Sequence, residues 1–316
     1  LSAYRSELGG PPTMAVTVSI LMMAISMIAL VAQRRILANR RYASSLTNLP
    51  VAVKLSGWKN AAVHFFSHGI VFLAMLPSAV VVYTSFLKTK GPVFVGGFGL
   101  ESYDRIWRDA PDAIYNSFLF AIIAVTFITI TSGLISYVIV RRDTKAAAAI
   151  DFLMMVPYLV PGVVMAIGFV TVFRNGMPNF FGPAFLLVMI YYIRRLPYGV
   201  RSTTSSLRQI KPSLEEAAVN LGATPLGAFV KITVPLIFPG IVVGALMGFI
   251  TAINELSSTL ILYDAGTITM PVKVYLAVLD GEFGLAAALS TILLLSTGAC
   301  VYAVFRFAEN RNSAFI

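Results

Sequence analysis

The sequence predicts an all-α integral membrane protein with about seven transmembrane helices, and three observations lead there. Hydrophobic residues make up 58% of the 316 and charged residues 12%, with a mean hydropathy of +0.82. So little polar surface cannot cover a soluble globule of this length. The apolar residues lie in continuous runs rather than in alternation, which favours helices over barrel strands. Finally, strongly basic connections alternate with less basic ones, as a multi-pass topology requires.

Runs at 13–32, 64–87, 114–140, 149–173, 181–197, 236–262 and 284–305 are the expected spans, each close to the roughly 20 residues that cross a bilayer. Several contain Gly or Pro, which bilayer helices tolerate when neighbours satisfy the freed backbone groups. Between the first two runs lie Arg34, Arg35, Arg40, Arg41, Lys54 and Lys59 with no acidic residue, which places that connection in the cytoplasm. The next connection, 88–113, balances four basic against four acidic residues and is expected outside. Arg141, Arg142 and Lys145 mark the following one as inside, and Asp264, Asp280 and Glu282 against Lys273 mark 263–283 as outside. The loop at 194–235, with Arg201, Arg208 and Lys211, therefore falls inside.

Residues 1–32 are expected to be the last span of a preceding membrane unit, 33–62 a basic cytoplasmic linker and 63–316 a six-span unit. The chain starts at Leu1 with no basic n-region before its first apolar run, so a signal peptide does not fit and a fragment is expected. The net charge of +10 is explained by basic residues at cytoplasmic span ends facing anionic membrane lipid, without a nucleic-acid partner. Cys300 is the single cysteine, so there is no disulfide framework or Cys-rich metal site, and a buried structural thiol is expected. His64 and His68 are four apart but lack the Glu of a zinc-protease helix, and they read as membrane-interface residues, leaving no predicted metal site. Tyr191, Tyr192 and the Arg194-Arg195 pair read as an interfacial belt and cytoplasmic anchor. No nucleophile with its base, no metal cluster and no Gly-rich phosphate loop is evident, so no catalytic residue or cofactor is expected.

The cytoplasmic loop carries the densest local signals. Ser213-Leu214-Glu215-Glu216 has the pattern of a capping box, with the Ser213 hydroxyl and the Glu216 side chain satisfying each other's backbone N–H groups. Leu214, Ala217, Ala218 and Leu221 follow at i, i+3, i+4 and i+7 as one apolar stripe. Gly222 is placed to end this helix at positive φ. Thr224-Pro225 then restarts a helix, with Thr as N-cap and Pro at the first helical position. That second helix carries Phe229 and Ile232 and is expected to stop before Pro235. The stripe of small residues suits a partner surface, or an ordinary helical hairpin packed on the protein's own spans.

Glu216-Ala217-Ala218, Gly222, Ile232 and Val234-Pro235, at these spacings, resemble the EAA loop of ABC importer permeases, with Val234 where Leu is usual. The resemblance extends over about residues 60–310 and includes Leu100-Glu101-Ser102-Tyr103 and Asn116-Ser117. It implies a type I ABC importer permease-like helical bundle in a bacterial inner membrane, with the coupling loop at about 200–235. It also implies that Glu216, Ala217, Ala218, Gly222, Ile232 and Pro235 engage an ATP-binding cassette ATPase dimer, which hydrolyses ATP on a separate subunit. A second permease unit, fused or separate, and an external solute-binding protein are the further implied partners. The runs 255–259, 269–272 and 280–284 are similar to permeases of the ferric-iron, polyamine and phosphonate group, with iron(III) the preferred solute.

Asn254 and Glu255 are expected near the middle of the 236–262 span, with Ser257 and Ser258 just beyond. A central charge costs roughly 2.5–3.5 kcal/mol on insertion scales, so Glu255 must face protein or water. These four residues fit a translocation path or gate, and Glu255 equally fits an ion pair, with Lys273 or a partner chain weighed as its mate. Glu255 as a proton carrier would make the protein an ion-driven secondary transporter, the principal competing reading. Pro157, Pro161 and Gly162 within one span fit a hinge or a static kink.

Overall fold

The computed structural model describes residues 56–142, 144–174 and 182–313, together with helical positions between 17 and 35; for 307–313 the backbone alone is described. The expected boundaries within 1–16 and 36–55, including Arg40, Arg41 and Lys54, lie outside the described residues, as does Arg34.

Helix α1, Trp58–Ser85, is apolar on all sides and buries Ser85 alone among its residues. That is the signature of a helix solvated by lipid or by another membrane chain. It leads into an antiparallel hairpin of β1, Leu87–Lys90, and β2, Val93–Phe98, paired Leu87 with Phe98 and Lys90 with Val93. Short α2, Glu101–Asp109, follows, and Pro111 at its first turn then opens α3, Pro111–Arg141. Thr144 caps α4, Lys145–Leu153, by accepting from Ala147 N–H at 3.1 Å.

Pro157 and Pro161 then break the chain into α5, Val156–Leu159, and α6, Gly162–Phe169, continued by a π-turn at Val170–Arg174. The two halves of the expected 149–173 span meet at 98°. Each proline removes a backbone donor, so a straight helix through both is not available.

Helix α7 runs Pro183–Leu207, ten residues beyond the expected end at 197, since its arginines do not terminate it. Short α8, Ser213–Asn220, and α9, Pro225–Ala228, form the inner hairpin. A π-turn at Phe229–Thr233 joins α9 to α10, Val234–Ile253. Pro235 does not stop the helix as expected: 225–253 is one continuous apolar helix, because Val234 N–H reaches back to Phe229 carbonyl and the wider turn absorbs the missing donor. The expected 236–262 span instead ends at Ile253, and α11, Thr259–Leu262, is a separate turn. Helices α12, Met270–Leu279, and α13, Phe283–Ser313, complete the chain.

Among the described residues, four helices are long and apolar enough to cross a membrane, or five with the bent pair counted as one span. Of the seven expected runs, 13–32 is described only in part, and 181–197 lies largely within α7, which carries three arginines. The core is built where α3, α7 and α10 cross. A Cβ added at Gly244 would lie 2.8 Å from Gly199 Cα, so the backbones of α10 and α7 touch. Ser136 donates to Val200 carbonyl at 3.0 Å and Ser202 to Gly240 carbonyl at 2.7 Å, the small-residue and hydroxyl packing expected of helices in lipid.

Candidate functional site

At one end of α3 the chain presents the inner hairpin. Pro212 adopts helical dihedrals and Ser213 makes no capping bond; Glu215 and Glu216 N–H groups donate instead to Pro212 carbonyl at 3.0 and 3.2 Å. The expected capping box is therefore absent, because Ser213 already lies inside the helix that Pro212 starts. The exit forms as predicted. Gly222, at φ 94°, donates to Val219 carbonyl at 2.9 Å while Ala223 donates to Ala218 carbonyl at 3.0 Å, a complete Schellman ending. Thr224 Oγ1 accepts from Gly227 N–H at 3.1 Å, with Pro225 at the first helical position.

The hairpin's apolar side chains point away from the chain's own core. Leu221 is 89% exposed and Leu226 71%. Leu214, Glu216 and Ala217 are exposed, Ala218 and Ile232 half-buried, and Pro235 exposed at the junction with α10. These large apolar side chains on a short hairpin are not packed into the chain's own core.

The residue that anchors this hairpin is Glu215, which sequence reasoning passed over in favour of Glu216. Its Oε1 receives Arg141 Nη2 at 2.8 Å and Nε at 2.9 Å, and its Oε2 accepts from Tyr137 Oη at 2.9 Å. Arg141 also donates to Ile210 carbonyl at 3.2 Å. Tyr137 packs edge-on against Phe229, with ring centroids 4.8 Å apart. Both charged side chains are largely buried, so the hairpin's root is held by a desolvated pair in which two guanidinium donors share one carboxylate oxygen. The signal in the sequence is an acidic residue within a strongly basic connection.

A second charged cluster lies inside the bundle. Asn254 caps the end of α10, and Glu255 sits in the break before α11 rather than mid-span. Glu255 is 5% exposed. Its Oε2 is shared by Arg195 and by Arg194 Nη1, the latter at 2.7 Å, and its Oε1 accepts from Ser258 N–H at 3.1 Å and Oγ at 3.0 Å. Lys273 on α12 takes no part in this carboxylate's bonding. Arg194 and Arg195 are the twelfth and thirteenth of the 25 residues of α7, so they are not the interfacial anchor expected from charge placement. Tyr191, 2% exposed, is also internal and bonds Thr259 Oγ1 at 2.6 Å. Asn254 and Ser257 are exposed, whereas Ser258 is buried. Asn254 Nδ2 donates to Ile250 carbonyl at 2.8 Å and Thr297 Oγ1 at 3.0 Å. Gly162 brings the start of α6 to the cluster: an added Cβ would lie 2.7 Å from Arg194 Nη1 and 3.2 Å from Ser257 Cβ.

At the opposite end of α3, Asn116 Nδ2 donates to the carbonyls of Gly266 and Ile268, both at 3.0 Å. Ser117 Oγ accepts from Met270 N–H at 2.7 Å and so caps α12 from another helix. Arg105 of α2 binds Glu282 at 2.6 Å; this hydrogen bond holds the guanidinium above its ordinary range although burial opposes it. His64 and His68 are exposed on α1, where His68 Nδ1 donates to His64 carbonyl at 2.7 Å.

Comparison with known proteins agrees with this geometry. Residues 130–313 match the family model described as a binding-protein-dependent transport system inner membrane component. The ferric transport system permease protein FbpB of Actinobacillus pleuropneumoniae is 26% identical over 265 residues, covering 82% of this chain but 37% of that protein. The putrescine transport system permease protein PotI of Escherichia coli K12 is 27% identical over 260 residues, covering 80% and 90%. The fold is also similar to a crystal structure of a bacterial ABC transporter that imports alginate, with TM-score 0.60 at 14% identity, covering 81% of this chain and 98% of that one. With its helical spans, its inner hairpin and a family match over more than half its length, the chain belongs to the binding-protein-dependent transport system inner membrane components, multi-pass permeases of the bacterial inner membrane.

Proposed function

We propose that this chain is the transmembrane permease unit of an ATP-driven solute importer and that the hairpin at 213–235 couples it to a separate ATPase dimer. Leu221 and Leu226 carry this reading: both are more than two-thirds exposed on a hairpin whose root is fixed to α3 through Glu215 and Arg141. An apolar knob on a stiff mount can enter a cleft in a partner and pass its motion to the spans. Glu216, Ala217, Ala218 and Gly222 form the contacting turn, and Ile232 and Pro235 join it to α10. An external solute-binding protein delivers the solute, and a second permease unit completes the path along the face that carries Asn254 and Ser257.

Iron(III) is the preferred solute, on the likeness to FbpB; the runs 255–259, 269–272 and 280–284 resemble ferric-iron, polyamine and phosphonate permeases together, so polyamine or phosphonate-type solutes are the alternatives. Ion-driven transport through Glu255 is the less favoured mechanism, since both carboxylate oxygens are already engaged by arginine or serine donors. The test is ATP-driven uptake and ATPase association for the reconstituted full-length permease and its Gly222→Asp variant. Loss of both with the fold intact supports the coupling hairpin. Unchanged uptake overturns it and redirects attention to Glu255 and ion gradients.

A further inference from the structure

The cluster inside the bundle does not balance. Two guanidinium groups face one carboxylate, and both ion pairs fall on the same oxygen, Glu255 Oε2. The other oxygen is occupied by Ser258. Arg194 Nε and Arg195 Nε are buried with no acceptor. One positive charge is therefore left over inside the bundle, midway along α7, where an uncompensated buried ion is costly.

What surrounds this excess charge suits an anion. Helix α6 begins at Gly162 against Arg194 and has no side-chain cap, so its first N–H groups and the positive end of its dipole face the same place. Ser257, whose Cβ would lie 3.2 Å from a Cβ added at Gly162, is exposed beside the cluster and carries a hydroxyl. Among the described residues, no acidic residue other than Glu255 is bonded to either arginine. Resting on the permease reading above, we infer that Arg194 and Arg195, with the start of α6 and Ser257, form a buried oxyanion site that takes a carboxylate or phosphonate group carried by the transported solute. Arg presents planar, paired donors to such groups. The same site disfavours the polyamine alternative, and iron(III) would pass it only as a complex with a carboxylate- or phosphonate-bearing ligand.

The experiment uses the full permease assembled with its ATPase in phosphatidylcholine nanodiscs. Thermal unfolding is followed against 2-aminoethylphosphonate, citrate, inorganic phosphate and putrescine, and separately in discs containing phosphatidylglycerol. At least one soluble anion is expected to stabilise the protein saturably, and putrescine is not. Arg194→Gln and Arg195→Gln should weaken that response by about tenfold or more, the loss of one charged hydrogen bond. Arg195→Lys, which keeps the charge, should retain most of it, and Glu255→Gln, which removes the competing carboxylate, should retain or strengthen it. This opposition of sign separates an anion site from an ion pair that only holds the fold, for which all the neutralising variants lose stability alike and no anion response changes. That result, or the absence of stabilisation by any anion, overturns the site. Stabilisation by phosphatidylglycerol alone makes the source a lipid headgroup and overturns its assignment to the solute. ATPase association, measured on the same particles, is independent: if it persists without an anion response the oxyanion site alone fails, and if it is lost while the response persists the coupling reading alone fails.

Discussion

Arg141, the last residue of α3, and Glu215, in the first turn of α8, are 74 positions apart and joined at 2.8 Å. The pair fastens the exposed hairpin to the helix that runs through the centre of the bundle. Breaking a largely buried pair from one side leaves the other charge uncompensated, at about 3–5 kcal/mol. Arg141→Ala is therefore expected to lower the unfolding midpoint clearly and to abolish ATP-driven uptake. Tyr137→Phe removes one hydrogen bond from the same carboxylate and should cost only about 1 kcal/mol. Equal, small effects of both on thermal unfolding would show that the pair does not hold the hairpin.

Gly222 tests shape without testing space. No atom lies within 4 Å of a Cβ added there, but its φ is 94°. Gly222→Ala should therefore destabilise by about 1–2 kcal/mol through backbone strain alone, and Gly222→Asn by less. Ranking Gly, Asn and Ala by thermal unfolding, and by ATPase co-purification in the same order, checks it. A reversed ranking would contradict the turn.

Crowding is tested at Gly244. A methyl there meets the α7 backbone at 2.8 Å, and backbone cannot swing aside as a side chain can. Gly244→Ala should cost about 1–3 kcal/mol, read as a lower unfolding midpoint in detergent. Gly168→Ala, with nothing within 4 Å of its added Cβ, is the control and should be neutral or slightly stabilising in its helix.

Ser117 acts across 153 positions, accepting the first N–H of α12. Ser117→Ala should cost about 1 kcal/mol, as the loss of an N-cap does. Amide hydrogen exchange should speed up at 269–273 and stay unchanged in the 213–222 hairpin. Uniform acceleration at both ends would mean that the bond is not a local cap.

The middle of the hairpin was readable from sequence because it depends on neighbours, Gly222 ending a helix and Thr224-Pro225 starting one whatever lies around them, whereas the capping box at Ser213 and the stop at Pro235 were misread. Spans were readable as apolar runs for the same reason. Arg194 and Arg195 were misread because charge counting treats each arginine as facing water or headgroups, whereas here a carboxylate 60 positions away keeps the pair inside. Glu215 and Ser117 were illegible as anchors because their partners are remote in sequence and nothing in Ser213-Leu214-Glu215-Glu216 or Asn116-Ser117 names them. The break after Ile253 lacks even the proline signal that marks the one at Pro157 and Pro161. It is the internal bonding of Glu255 with Ser258, and of Thr259 Oγ1 to Glu255 carbonyl at 2.9 Å, that turns the chain there.

The unbroken helix from Pro225 to Ile253 has a mechanical corollary. Its 29 residues make a rod about 43 Å long, with the hairpin at one tip and Asn254 and Glu255 at the other. Pivoting such a rod by about 5° swings its far tip by about 4 Å, comparable with the reach of an arginine's hydrogen bonds. A displacement of that size is large enough to part Glu255 from its two arginines, and the π-turn at Phe229–Thr233 and the internal Pro239 are places along the rod at which such gearing can be altered.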